Sequence, residues 1–465
     1  MNNLDLYIPI LSPSLLAYYV SKGEWKYSRH LQLIESSIFD MLRGNIKHLI
    51  VNMPPRHGKS EFISKYFPFW YLINNPNKRI ILVSYQAGIA EGWSRKVRDL
   101  FANYGEKFGV RLNPRHSKSN SFGFMEYSGS LYSVGVGGAL TGKGADLLII
   151  DDPVKNDEEA NSVVYRDKIW EWFNATAMTR LEPDGHCIVV MTRWHEDDLT
   201  GRIINHSCID FNLNWNLISL PAIAQKNDLI GRQEGEALWK ERFPINNLLN
   251  LKSQIGSYWF SSLYQQEPVP SGNSIFKREN FKYFQEFDTY YNLEMSPSLN
   301  KKVLKENLTI MATSDLAIST NETSDYTVFL IFGKNNDGDI LILDIIRERF
   351  EFSSHISMLN AIFAKYQPIL IGIENVQFQQ ALIQTAIKSG LPIKSLRADK
   401  DKISRALPIA SLIENGKVYF KKNSAYLENF EKELLTFPKG KNDDQVDAFA
   451  YISQMVTMNS NLLPI

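Results

Sequence analysis

Cysteine is scarce in this chain, with Cys187 and Cys208 the only two in 465 residues. One bridge cannot staple a protein of this size, so a disulfide scaffold is excluded and a reducing, cytoplasmic setting is expected. His186, His195 and His206 fall near the two cysteines, but the spacing matches no common zinc pattern. No apolar run approaches the ~20 residues of a membrane span, so no membrane partner is expected. Met1–Leu16 is apolar, yet it lacks a basic leader and is broken by Pro9 and Pro13, so it does not read as a signal peptide. Internal repeats and low-complexity tracts are absent as well. Net charge is also missing, with 51 Lys+Arg against 51 Asp+Glu. That removes the simplest sign of a nucleic-acid partner, an overall basic excess.

What is present is ordinary globular composition, 44% hydrophobic and 22% charged, which excludes a wholly disordered chain. The length suggests two or three domains at about 150 residues each. The neutral total also hides local poles. Lys388–Lys422 holds nine basic residues against three acidic, and Asp151–Thr200 holds twelve acids against five bases.

The first half alternates compact apolar strands with longer polar stretches. Strands are expected at Lys47–Met53, Arg79–Ser84, Asp146–Ile150, Cys187–Thr192 and Trp215–Leu220. Short buried strands spaced in this way predict an α/β fold with a mainly parallel sheet and helices on both faces. Gln265–Asn273 carries two prolines and a glycine and reads as an extended linker. The expected organisation is a domain over 1–265, a linker over 266–274 and a domain over 275–465. The second half opens with three close strands, Leu308–Thr313, Thr327–Phe332 and Ile340–Ile346. A helix near Ser353–Tyr366, a strand at Ile369–Ile373 and a helix near Phe378–Ser389 follow. Then come a strand at Ile393–Leu396, a helix near Ile403–Glu414 and a final helix from about Asp443. This is an α/β layout of its own.

The first strand leads into Pro54-Pro55-Arg56-His57-Gly58-Lys59-Ser60. A strand, a loop ending Gly-Lys-Ser and a helix form the phosphate-binding context. Backbone N–H groups of Arg56, His57 and Gly58 would cradle phosphates, Lys59 would pair with the β/γ-phosphates, and Ser60 would help hold Mg2+. The usual first glycine is absent, since that place is Met53. Leu147–Asp152 supplies the partner element, an apolar strand ending in two acids. Asp151 would hold the Mg2+ shell. Asp152 stands where a water-polarising base belongs, with Glu158 or Glu159 as the alternatives. Thr192-Arg193, at the end of another strand, could sense the γ-phosphate. Gly137–Gly144 is a glycine-rich loop whose Lys143 is suited to stabilising transition-state charge in a neighbouring subunit.

A second constellation lies downstream. Asp315 follows the first strand of the second half, Glu374 ends the fourth, and Asp443, Asp444 and Asp447 open the last helix. Asp444 and Asp447 are three apart and share a helix face. Such acids can converge on two divalent ions about 4 Å apart, the arrangement that clamps an in-line phosphodiester attack. Hard oxygens suit Mg2+ or Mn2+. Asp325 is a lesser candidate. Arg397, Lys400, Lys402 and Arg405 lie between Glu374 and the last helix, and would neutralise DNA phosphates beside the metals.

Taken together, Met53–Ser60, Leu148–Lys155, Val190–His195, Tyr264–Gly272, Asp315 with Ser324-Asp325-Tyr326, Glu374 and Asn442–Ala448 resemble the large terminase subunits of tailed bacteriophages. The resemblance spans nearly the whole chain. It implies an N-terminal P-loop ATPase and a C-terminal RNase H-like nuclease. It implies ATP and Mg2+ as cofactors, with Mn2+ an alternative in the nuclease. Such proteins form a homo-oligomeric ring, usually a pentamer, on the portal protein of an empty procapsid. They drive double-stranded DNA inward, cut concatemers and work with a small terminase subunit. Their place is the host cytoplasm, transiently the portal, and not the mature virion. Carried over by position, Lys59, Ser60 and Asp151 bind Mg-ATP, and Arg56 or Lys143 is the charge-stabilising finger. Asp315, Glu374 and Asp447, with Asp444, ligate the nuclease metals. Two positions depart from the family pattern: Asp152 stands where many relatives have glutamate, and Asn442 where some have histidine.

Overall fold

The computed structural model describes residues 9–207, 215–268, 274–296, 299–317, 326–351, 354–375, 379–397, 400–440 and 442–459. Cys208, Asp325 and the central part of the expected linker, 269–273, lie outside the described residues. The chain divides into two compact units. One is Met1–Leu251 with Trp259–Pro270, and the other is Lys252–Tyr258 with Ser271–Ile465.

The first unit is built on eight strands: β1 His48–Asn52, β2 Arg79–Ser84, β3 Leu112–Ser117, β4 Ser121–Phe124, β5 Ser130–Gly135, β6 Ala145–Asp151, β7 Leu181–Met191 and β8 Trp215–Ser219. Their order in the sheet is β3-β4-β5-β2-β6-β7-β1-β8. The six strands from β5 to β8 are parallel, and β3 and β4 add an antiparallel edge. Parallel strands covered on both faces read as continuous apolar runs, which is why β1, β2, β6 and β7 were visible in sequence, and β8 continues them at the sheet's end.

Alternate residues of each strand enter opposite cores. Leu49, Val51, Ile80, Leu82, Leu147, Ile149, Ile188 and Val190 meet the helices Arg29–Leu42, Phe67–Asn74 and Ala87–Tyr104. Ile50, Ile81, Val83, Leu148, Ile150, Val189 and Met191 meet the helices Val163–Trp172 and Leu199–Ser207. β3, β4 and β5, at the other end of the sheet, carry no such run. β3 is half-exposed and polar, and its pairing with β4 is irregular.

The second unit holds nine more strands: β9 Lys282–Glu286, β10 Tyr290–Ser296, β11 Leu299–Leu304, β12 Thr309–Asp315, β13 Thr327–Lys334, β14 Ile340–Glu348, β15 Leu370–Glu374, β16 Ile393–Leu396 and β17 Val418–Lys421. The order is β11-β10-β9-β17-β14-β13-β12-β15-β16. β12, β13 and β14 form the expected antiparallel meander, and β15 joins β12 in parallel. The helices Lys402–Glu414 and Asp444–Ala450 cover one face with the core around Val328, Val446 and Phe449. The helices Ser354–Tyr366 and Gln380–Lys388 cover the other around Phe329, Leu359 and Leu382.

Candidate active sites

The first site lies at the carboxyl ends of β1, β6 and β7, where open α/β sheets bind ligands. After β1 the chain crosses Met53–Gly58 and enters a helix at Lys59. Arg56 and Gly58 both take positive φ, 65° and 91°. Glycine adopts that conformation freely, and Arg56 is strained by it. A cavity of about 660 Å3 opens over this loop, with Arg56, Gly58, Lys59, Ser60, Asp152 and Thr192 in its wall.

Two sets of polar contacts meet at this wall. Asp151, the last residue of β6, is fully buried and accepts from the Ser60 hydroxyl at 2.8 Å and the Ser64 hydroxyl at 2.7 Å. Burial, and next the charge of Asp152, push its carboxyl up to about 7. Lys59 Nζ stands 3.2 Å from the Asp152 carboxylate and also donates to Thr192 Oγ1. Thr192 N–H donates to the other Asp152 oxygen at 2.9 Å, and its hydroxyl donates to Met53 O at 3.3 Å. β7 lies between β6 and β1, so Thr192 links the acidic strand to the loop strand. Asp152 is itself held at φ 46°.

These residues fit a magnesium-bound nucleoside triphosphate. A cradle of backbone amides, a buried lysine, and a hydroxyl paired with a carboxylate are the groups such a ligand needs. The His57 ring is buried, stacked on Phe243 at 4.5 Å and bonded through Nδ1 to Pro55 O at 2.8 Å, so it braces the loop from within and does not line the cavity. Glu159 caps a short helix, accepting from Lys155 N–H at 3.0 Å, and Glu158 is exposed. Neither lines the cavity, whereas Asp152 does. Lys143 projects over the Tyr132 ring at 4.5 Å and is also outside the cavity wall, which contains Arg56. Arg193 is tied to the buried Asp198 carboxylate at 2.9 Å, so Thr192 alone of that pair reaches the cavity. Sequence reasoning missed Ser64, Tyr85, Trp93, Trp194 and Arg242. Ser64 had a signal, since it stands one helical turn after Ser60. The others come from loops and helices whose approach no motif encodes.

The second site lies in the other unit. Asp315 and Glu374 end the neighbouring strands β12 and β15, whose preceding residues Ser314 and Ile373 are register partners. Asp444 and Asp447 lie in the first turn of the helix Asp444–Ala450, which is tied to β12 by a Thr313 hydroxyl bond to Ala448 O at 2.8 Å. The Asp315 carboxyl is driven well above the usual carboxylate range, by burial first and then by Asp447, Glu374 and Asp444. Three of the predicted acids therefore act on the fourth, Asp315.

A guanidinium stands among them. Arg405 donates to Asp447 at 2.8 Å, to Glu374 at 3.3 Å and to the Tyr451 hydroxyl at 2.8 Å. Lys402 pairs with Asp443 at 2.7 Å and lies 3.5 Å from Asp447. These two cations thus have carboxylate partners, while Arg397 and Lys400 are exposed. Among the described residues no group of three or more such side chains is set as a ready-made metal cage. The donor set itself suits hard divalent cations, and Arg405 supplies positive charge where they would sit. Cys187 is buried within β7, and burial raises its thiol above the usual value.

No helix among the described residues is long and apolar enough to cross a membrane. The family described as "Terminase large subunit, T4likevirus-type, N-terminal" matches residues 50–283. The family described as "Terminase RNaseH-like domain" matches residues 312–455. No curated protein matches the chain. Among solved structures, the large terminase of a thermophilic bacteriophage is similar at a TM-score of 0.51 and 11% identity, over 93% of this chain and 99% of that one. The large terminase of bacteriophage HK97 is similar at a TM-score of 0.36 and 12% identity, over 89% and 91%. The likeness to the thermophilic phage protein supports the two-part α/β fold, and the family matches identify the chain. It belongs to the large terminase subunit family of tailed bacteriophages, with an N-terminal ATPase domain and a C-terminal RNase H-like nuclease domain that act in DNA packaging.

Proposed function

We propose that the first unit hydrolyses ATP at the Lys59 cavity and that the second cuts DNA at the Asp315 cluster. The observation that carries the motor reading is the meeting of two polar sets, Lys59 with Asp152 and Thr192, and Ser60 with Asp151, at one cavity. Lys59 is held by Asp152 and Thr192, and an incoming triphosphate would draw it to the β/γ-phosphates. Asp152 would then be released, still oriented by the Thr192 N–H, to accept the proton of the attacking water. Ser60 and Asp151 would hold Mg2+, which supplies charge neutralisation on the phosphates when bound. Arg56, in the cavity wall, is better placed than Lys143 to act within its own subunit, and Lys143 is left for a neighbour's site.

In the second unit, Asp315, Glu374 and Asp447, with Asp444, would hold divalent ions. When bound, these supply Lewis-acid activation of water and of the scissile phosphate. The acids orient those ions, and Arg405 and Lys402 neutralise the cluster in their absence. The exposed Arg397 and Lys400 would meet DNA phosphates. The family membership supports a homo-oligomeric ring, usually a pentamer, on the portal of a procapsid, served by a small terminase subunit. It supports a place in the host cytoplasm, on the portal during packaging and absent from the mature virion.

The test is ATP-driven uptake of double-stranded DNA into purified procapsids. Uptake that requires both ATP and Lys59 supports the reading. ATP hydrolysis and DNA cutting with no uptake under any tested portal would sink the packaging role.

A further inference from the structure

The acid cluster has a positive flank with no role in the mechanism above. Asp315, Val328 and Arg347 are register partners across β12, β13 and β14. Directly paired residues point to the same face of a sheet, so Arg347 lies on the face and level of Asp315. Thr327 and Glu348 are the next pair. Tyr326 and Arg349, one residue further along each strand, therefore come opposite each other. The two arginines converge on one ring, with the Arg347 guanidinium 4.0 Å and the Arg349 guanidinium 4.2 Å from the Tyr326 centroid. Arg347 also lies 3.8 Å from Asp444 and 3.8 Å from Glu433, so this flank adjoins the acids directly.

Each cation gains from the face of the ring, but two guanidiniums on one tyrosine repel each other. Asp444 and Glu433 offset part of that repulsion at Arg347, and a polyanion relieves the remainder. The guanidinium fork matches phosphate oxygens in geometry as well as charge. A cutting site made of carboxylates repels DNA, so phosphate-binding cations are needed beside it.

We propose that Arg347, Tyr326 and Arg349 form a clamp for the DNA backbone, seating the phosphates that flank the bond to be cut at Asp315. The inference rests on the reading of the Asp315 cluster as the cutting site. The tyrosine positions the two cations, and the cations contact DNA.

The experiment uses the full chain carrying Asp315→Asn, so that bound DNA stays intact. Binding of a fluorescein-labelled duplex is followed by anisotropy over a range of salt. DNA contacts made by the first unit are the same in every variant and drop out of the differences. Adding Arg349→Gln should weaken binding about 5- to 10-fold and flatten the slope of log K against log salt by about one. Tyr326→Ala should act in the same direction, while Tyr326→Phe, which keeps the ring, should retain the parent values. Arg349→Lys, which keeps the charge, should restore the slope. Thermal midpoints identify any variant that loses binding through unfolding, and if one of Arg349→Gln and Tyr326→Ala does so, the other decides. The clamp is overturned if Arg349→Gln and Tyr326→Ala keep both the affinity and the salt slope of the parent. Asp315→Asn is assayed separately for cutting. Cleavage by that chain would remove the cutting site from Asp315 and leave the binding result standing by itself.

Discussion

Arg405 donates to Asp447 at 2.8 Å while its other terminal nitrogen reaches Glu374 at 3.3 Å. One guanidinium, 11% exposed, thus bridges a helix acid and a strand acid that would otherwise repel each other. Breaking a buried pair on one side is costly, about 3–5 kcal/mol, because the remaining charges stay buried. Arg405→Gln should therefore lower the thermal midpoint without divalent ions. Added Mg2+ should restore more stability to this variant than to the parent. Equal Mg2+-dependent shifts in the two chains, read by differential scanning fluorimetry, would argue against charge replacement.

Asp315→Asn should do the reverse. Asp315 is buried among like charges, so removing its charge relieves repulsion. We expect a midpoint equal to or above the parent without metal, loss of DNA cutting, and retained ATP hydrolysis. Undiminished cleavage of linear DNA would take Asp315 out of the site.

Lys59→Ala should reduce the turnover of ATP hydrolysis by about 100-fold or more, in the range found for loss of one charge-stabilising donor. Mn2+-dependent DNA cutting should persist, because Lys59 belongs to the other unit. Full ATPase activity in a phosphate-release assay would end the P-loop assignment.

Thr192→Val keeps the shape of the side chain and removes the hydroxyl that accepts from Lys59. Its backbone N–H would still hold Asp152. The expected result is roughly 10-fold slower hydrolysis, as for loss of a hydrogen bond to a charged group. KM for ATP should change less. A wild-type turnover number would show that the hydroxyl does not position the lysine.

Three histidines set an acid limit on the first unit. Burial lowers His30, His48 and His57 from 6.5 to about 4. The folded state keeps them neutral while the unfolded chain protonates near 6.5. Their contribution is therefore fully present above that value and is lost as pH falls toward 4. By pH 5 each costs up to about 2 kcal/mol. Urea unfolding at pH 7 and pH 5 should show this loss, and His48→Gln should reduce it. A stability that stays flat over this range would contradict the buried neutral state.

Both candidate sites were legible in sequence where an apolar strand ends in polar residues. The runs before Lys59, Asp151, Thr192, Asp315 and Glu374 all became strands, which places those residues at or just beyond strand tips. What was not legible lacks that periodic signal. β17 is short, and much of β9, β10 and β11 faces solvent. The basic stretch was read as a DNA surface, but chain order could not show that Lys402 and Arg405 would turn back onto the acids. The Arg347 flank depends on strand register, which forms only when β12, β13 and β14 pair.

The strand inserted between β6 and β1 has a dimensional consequence. Neighbouring strands lie about 4.8 Å apart, so the acid-bearing tip of β6 and the loop-bearing tip of β1 are separated by roughly 10 Å of rigid sheet. The sheet order thereby acts as a ruler. It sets the spacing that the Ser60 and Lys59 side chains span to reach Asp151 and Asp152, and Thr192 marks the middle of the scale.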